Sequence, residues 1–219
     1  MVLVTGGGTG VGRAIALGLE DAHATVIAAD GDLASRAAAE AAFAKARDAA
    51  GPLDAVVHSY VDPAALAGES LADTPEADWD RRCEAMLRAA LHCCQAAGRV
   101  LSGRGGSLVL VTPTIALTGA AGLVPYATAV EGMRAMAKSA ARQWGERGIT
   151  VNCVAPPVEV MAPDRAETPD GLALTEPPLG RGPDVRTDVA PVIALLATEQ
   201  AHFVTGATIP VDGGLVMAP

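Results

Sequence analysis

The sequence predicts a doubly wound α/β domain on a mainly parallel sheet, and three observations predict it. Apolar runs bounded by glycine alternate with long alanine-rich stretches, the rhythm of strands wrapped by helices. The first apolar run ends in a glycine-rich turn that opens directly into a helical pattern. Half of the 219 residues are apolar, enough for one domain with a sizeable buried core.

Strands are expected at Val2–Thr5, Thr25–Ala29, Ala55–His58, Ser107–Thr112, Thr150–Ala155 and Thr208–Val211. Helices are expected at Val11–Asp21, Leu33–Ala49, Pro75–Leu101, Tyr126–Glu146 and Val185–Thr198. Thr74-Pro75 supplies a capping hydroxyl followed by a proline suited to a first helical position. Pro156–Pro183 differs: seven prolines and no apolar periodicity predict a long surface loop, where a substrate region would sit. No internal repeat interrupts the pattern, so residues 1–219 read as a single domain.

Composition narrows the functions. The formal net charge is −9 with no basic cluster, which leaves nucleic-acid binding without an electrostatic footprint. No apolar stretch approaches the roughly 20 residues of a membrane span, and the first residues lack a charged leader, so a cytoplasmic protein is expected. Cys83, Cys93, Cys94 and Cys153 have no zinc-like spacing and read as buried reduced thiols. His23, His58, His92 and His202 are scattered, so no metal site is expected.

The turn Thr5-Gly6-Gly7-Gly8-Thr9-Gly10-Val11-Gly12-Arg13 joins a strand to a helix N-terminus. Glycines there allow positive φ and close approach of a pyrophosphate, and the helix dipole favours the anion. The candidate cofactor-binding residues are therefore Gly6, Gly8, Thr9, Gly10, Val11 and Gly12. The spacing T-G-x-x-x-G-x-G, with Tyr126-Ala127-Thr128-Ala129, Gly148-Ile149-Thr150-Val151-Asn152-Cys153-Val154-Ala155-Pro156 and Val211-Asp212-Gly213-Gly214, resembles the short-chain dehydrogenase/reductase family in order along nearly the whole chain. The resemblance implies a Rossmann-type fold and NAD(P)-dependent oxidoreductase chemistry. Asp30, closing the second strand 18 residues after Gly12, suits the adenine ribose hydroxyls of NAD and would repel a 2′-phosphate.

Only 23 residues separate Asp30 from Asp54, where helix, strand and helix would need roughly 40. The second helix and third strand of the family are expected to be absent. In the order 3-2-1-4-5-6 that strand lies at an edge, so its loss breaks no internal ladder but removes a wall of the adenine pocket.

The resemblance also implies a catalytic Asn, Ser, Tyr and Lys. Tyr126 stands in the tyrosine place, but the lysine position four residues on is Val130, the serine position is Pro113 and the asparagine position is Met86. Arg134 lies two turns from the tyrosine. Thr114 is the one substitute hydroxyl, provided the chain stays extended past Pro113. His58-Ser59-Tyr60-Val61 replaces the family's N-N-A-G, and His58 reads as a strand-end histidine bonded to backbone. Pro157 and Met161 replace the glycine and the nicotinamide-contacting threonine.

An intact scaffold around an emptied site suggests a non-catalytic structural or regulatory subunit partnering an active paralogue. Family assembly as a dimer or tetramer, homo- or hetero-oligomeric, would use Pro75–Leu101, Tyr126–Glu146 and Val204–Val216. One alternative is an NAD(H)-dependent alcohol dehydrogenase or ketoreductase using Tyr126 with Thr114. A second is a nucleotide- or acyl-CoA-binding protein without hydride transfer.

Overall fold

The computed structural model describes residues 1–30, 33, 35–161 and 176–217. Its centre is one six-stranded parallel sheet, in the order β2-β1-β3-β4-β5-β6 among the described residues. The strands are β1 (Val2–Thr5), β2 (Val26–Ala29), β3 (Ala55–His58), β4 (Gly106–Val111), β5 (Ile149–Ala155) and β6 (Thr208–Pro210). The chain moves outward from β1 to β2, then returns past β1 to β3. This reversal opens a crevice at the carboxyl ends of β1 and β3, where ligands of such sheets sit.

The inner strands β1, β3, β4 and β5 are buried on both faces, with side chains alternating between two cores, while the edge strands β2 and β6 are partly exposed. Leu3, Val56, Leu108, Leu110, Val151 and Cys153 meet one face, covered by α2 (Arg36–Ala50), α4 (Ala85–Val100) and α6 (Val124–Trp144). Val4, Val57, Val109, Val111 and Val154 meet the other, covered by α1 (Gly10–Asp21) and α7 (Ala190–Leu196).

Between β2 and β3 the chain forms one helix, α2, and β2 is an edge of the sheet, as the short spacing predicts. Ser35 rather than Leu33 sets its start, because the Ser35 hydroxyl accepts from the Ala38 amide at 3.1 Å. Ala39, Phe43 and Ala46, one face of the helix, are its buried residues.

Three expectations need correction. The helix expected over Pro75–Leu101 is α3 (Glu76–Trp79), a wide π-type turn (Asp80–Glu84) and α4. In the wide turn Arg82 is buried, bonded to Glu69 at 3.2 Å and Asp78 at 3.1 Å, a long-range pairing that hydrophobic periodicity does not reveal. Thr74 caps nothing; its hydroxyl donates back to the Ser70 carbonyl at 2.9 Å, and Pro75 precedes the helix without a side-chain cap. The start of the proline-rich stretch is not a surface loop: Pro156, Pro157, Val158 and Met161 are buried, the last two in a short 3-10 turn. Its residues 162–175 lie outside those described.

Phe43 is the large apolar anchor joining α2 to the core of Leu3, Leu53 and Val56. Phe43→Ala should lower unfolding free energy by about 3–5 kcal/mol in a denaturant titration. An unchanged midpoint would mean that α2 does not pack on the sheet.

Candidate functional site

The glycine turn lies at the reversal point between β1 and β3. Gly6 has φ +73° and Gly10 φ +50°, conformations that favour glycine. Gly12 is fixed for another reason: a Cβ there would lie 1.9 Å from the Gly6 carbonyl oxygen and 2.7 Å from Ser59 Oγ. Thr9 precedes α1 with no side-chain cap, and no acidic residue stands in the first turn. The uncapped amides and the dipole of α1 make this turn electropositive toward an anion.

Asp30, exposed at the end of β2, folds toward the turn, and its Oδ1 accepts from the Gly8 amide at 2.7 Å. A Cβ on Gly8 would lie 1.7 Å from the Asp30 carboxylate, so a side chain there would push the carboxylate away from the turn. Asp30 thus borders the turn where a ribose hydroxyl would be read. The expected cofactor residues lie together at the turn, where Thr9, Gly10 and Asp30 are exposed and Gly6 and Gly8 half-buried, whereas Val11 and Gly12 are buried, Val11 in the core beneath α1.

The facing wall is the segment after β3. His58 is buried and bonds to a side chain, not to backbone: its Nδ1 lies 2.8 Å from the Thr5 hydroxyl. Adjacent parallel strands place Thr5 and His58 side by side, a pairing invisible from either segment alone. Burial pushes the imidazole pKa down to about 4, so the ring is neutral. Ser59 donates to the Thr5 carbonyl at 2.9 Å. Tyr60 packs against the cluster of Leu33, Ala39 and Ala89. Val61 packs against both cores.

Tyr126 sits near the start of α6 and is fully buried. Its hydroxyl has no hydrogen-bond partner among the described residues. Burial in one core cluster with Met86 and Val130 raises its pKa far above that of a free phenol. Pro113 is buried too. The chain does not stay extended past it: Thr114 has φ −56° and ψ −20° and opens α5 (Ile115–Thr118), while its amide donates to the Pro156 carbonyl at 2.8 Å. The Thr114 hydroxyl therefore makes no bond to Tyr126. Arg134 is engaged elsewhere, with Glu131, Thr208 at 3.1 Å and the Ala116 carbonyl at 3.4 Å.

The remaining motif residues hold structure. Asn152 donates to the Val204 carbonyl at 2.7 Å and accepts from the Ala207 amide at 3.1 Å, tying β5 to the approach of β6. Asp212 accepts from the Gly214 and Val216 amides, closing the C-terminal turn. The four cysteines are buried and unpaired, and burial pushes Cys94 up to about 12. Among the described residues no three metal-ligating side chains cluster, and no helix is long and apolar enough to cross a membrane.

Residues 10–216 match the family described as enoyl-(acyl carrier protein) reductase. The chain is 32% identical to a 3-oxoacyl-[acyl-carrier-protein] reductase of Staphylococcus aureus, over 98% of this chain and 97% of the relative. It is 31% identical to the (3R)-3-hydroxyacyl-CoA dehydrogenases of Homo sapiens and Mus musculus, over 99% of this chain and 95% and 96% of theirs. The first alignment spans 241 positions, more than the 219 residues of this chain, so the relative carries positions without a counterpart here.

Two outcomes follow from the buried groups. Tyr126→Phe should raise unfolding free energy by about 1 kcal/mol, because it removes an unsatisfied buried hydroxyl; a loss of stability would reveal a partner for that oxygen. Between pH 6.5 and about 4 the folded His58 binds fewer protons than the unfolded chain, so stability falls as pH drops through that window. The loss should reach about 3 kcal/mol at the acid end and be largely absent in His58→Leu, measured by denaturant titration at stepped pH. Equal acid sensitivity in both proteins would contradict a neutral, buried ring.

Proposed function

Because the chain belongs to the short-chain dehydrogenase/reductase family of oxidoreductases, we propose that it is a non-catalytic member, a structural or regulatory subunit that partners an active paralogue. The observation that carries this reading is the sealed Tyr126 hydroxyl, which has no hydrogen-bond partner among the described residues. General acid–base work needs a phenol within reach of the substrate oxygen and a pKa near the operating pH. Burial moves this one the wrong way, and Val130 supplies no cation to bring it back.

The cofactor splits the site in two. Its pyrophosphate and adenine ribose suit the glycine turn and Asp30, so NAD is the nucleotide the chain would hold. The reacting end does not fit: Met161 and Pro157, at the positions that the resemblance assigns to nicotinamide contacts, are buried, and so is the tyrosine. Assembly is supported by exposed apolar residues on the segments that the family resemblance assigns to contacts, Leu91 on α4 and Val204 before β6, with Phe203, 94% exposed, just ahead of the last segment.

A second reading draws on the relatives, named as reductases and dehydrogenases. In it the chain is an NAD(H)-dependent ketoreductase in which Tyr126 and Thr114 become accessible on binding substrate. The two readings separate in one assay with NADH or NADPH and a 3-oxoacyl thioester. The purified chain should give no turnover above background, yet form a stable complex with a co-expressed active paralogue and change that paralogue's rate. Robust turnover by the chain alone, abolished by Tyr126→Phe, would establish the second reading instead.

A further inference from the structure

At the opposite end of the sheet, where the strands begin, lies a groove of about 860 Å³, a volume suited to a small organic ligand. It opens between the last turns of α1 and α7. The small side chains of Ala22, Ala194 and Ala197 at those helix ends leave the hollow between them. Two glycine turns, Gly105-Gly106 and Gly148, bring Arg104 and Arg147 to its edge, joined by a 3.1 Å bond from the Gly106 amide to the Gly148 carbonyl.

Three features of this groove are unexplained by folding alone. Arg147 lies over the Trp144 ring at 5.5 Å and forms no ion pair with a carboxylate among the described residues. Arg104 is loosely held: Asp54, its carboxylate neighbour, is 3.9 Å away and both side chains are 58% exposed. Ser107, at the base of β4, is 4% exposed, and its hydroxyl has no hydrogen-bond partner. Strand alternation puts Ser107 on the same face as Val109, toward α1 and α7, the side on which the groove lies. Two underused guanidiniums, an orphan hydroxyl and an apolar hollow together describe a receptor for one kind of molecule.

We propose that this groove binds a single-tailed amphiphile with an anionic head, an alkyl phosphate or a fatty carboxylate. The head is met by Arg104 and Arg147, with Ser107 Oγ offered to it, and the tail lies between the ends of α1 and α7. Asp54 and Glu199 also line the groove and repel an anion, so the head is held by the arginines and not beside these carboxylates, and an uncharged ligand gains no charge-assisted bond from either arginine. The site is independent of the glycine turn, and occupancy of one does not require the other.

The test is calorimetric titration of the full chain with octyl phosphate and with octanoate, beside 1-octanol and inorganic phosphate as head-less and tail-less controls. Either anionic amphiphile should bind saturably, and comparing the two shows whether a phosphate or a carboxylate is preferred. Both controls should bind at least about tenfold more weakly, a difference of about 1.4 kcal/mol. Trp144 fluorescence should follow the same isotherm, because its ring lies under Arg147. Arg104→Gln with Arg147→Gln, both exposed positions, should cost about tenfold or more, and Ala197→Trp should close the hollow and abolish uptake. Saturating NAD should leave the isotherm unmoved. No saturable binding, equal binding of 1-octanol or inorganic phosphate, affinity retained in the arginine double variant, or displacement by NAD would each overturn the proposal.

Discussion

A parallel sheet must be covered on both faces, because its strands can reach one another only through crossovers that lay helices against it. In this chain that requirement fixes nearly everything else. Leu3 and Val56 need α2 and α4, while Val4 and Val57 need α1 and α7, so each crossover is anchored to its own core. The requirement is weakest at the edge. There β2 is only partly buried, and no further strand lies between it and α2 among the described residues. Shortening the sheet at that place leaves the inner ladders β1–β3, β3–β4 and β4–β5 intact.

The same demand for burial explains the crevice. In a working site, polar groups converge where the strands end and water or substrate satisfies them. Here Met86, Val130 and Pro113 are buried, and Val158 joins the core that holds Tyr126. Apolar side chains packed against a phenol give it neither a partner nor a path to solvent, and burial stabilises its protonated form. The glycine turn follows other rules. Gly12 is held by backbone contact with Gly6, so it is constrained by local geometry whether or not hydride moves nearby.

The strands, their parallel arrangement and the shortened edge were legible in the sequence, since apolar period and spacing encode them directly. Met86, Pro113 and Val130 were legible as the residues at positions that the resemblance implies; that all three are buried was not. What escaped depends on contacts between distant segments. The wide turn at Asp80–Glu84 goes with a buried Arg82 reaching back to Glu69, which no periodicity records. Thr114 leaves the strand direction because α5 starts there, and His58 meets Thr5 because β1 and β3 are neighbours. The burial of Pro156–Met161 went unread because proline content signals the lack of regular structure, not the side on which the chain lies.

Replacing Tyr60 with Phe leaves Tyr126 as the single tyrosine of the chain, so phenolate absorbance near 295 nm reports on it alone. Alkaline titration, followed together with circular dichroism, should show no phenolate until the fold is lost, and then a single abrupt ionisation. A phenolate that forms reversibly in the folded protein near neutral pH would mean that a cation reaches Tyr126 and that the site is poised for proton transfer.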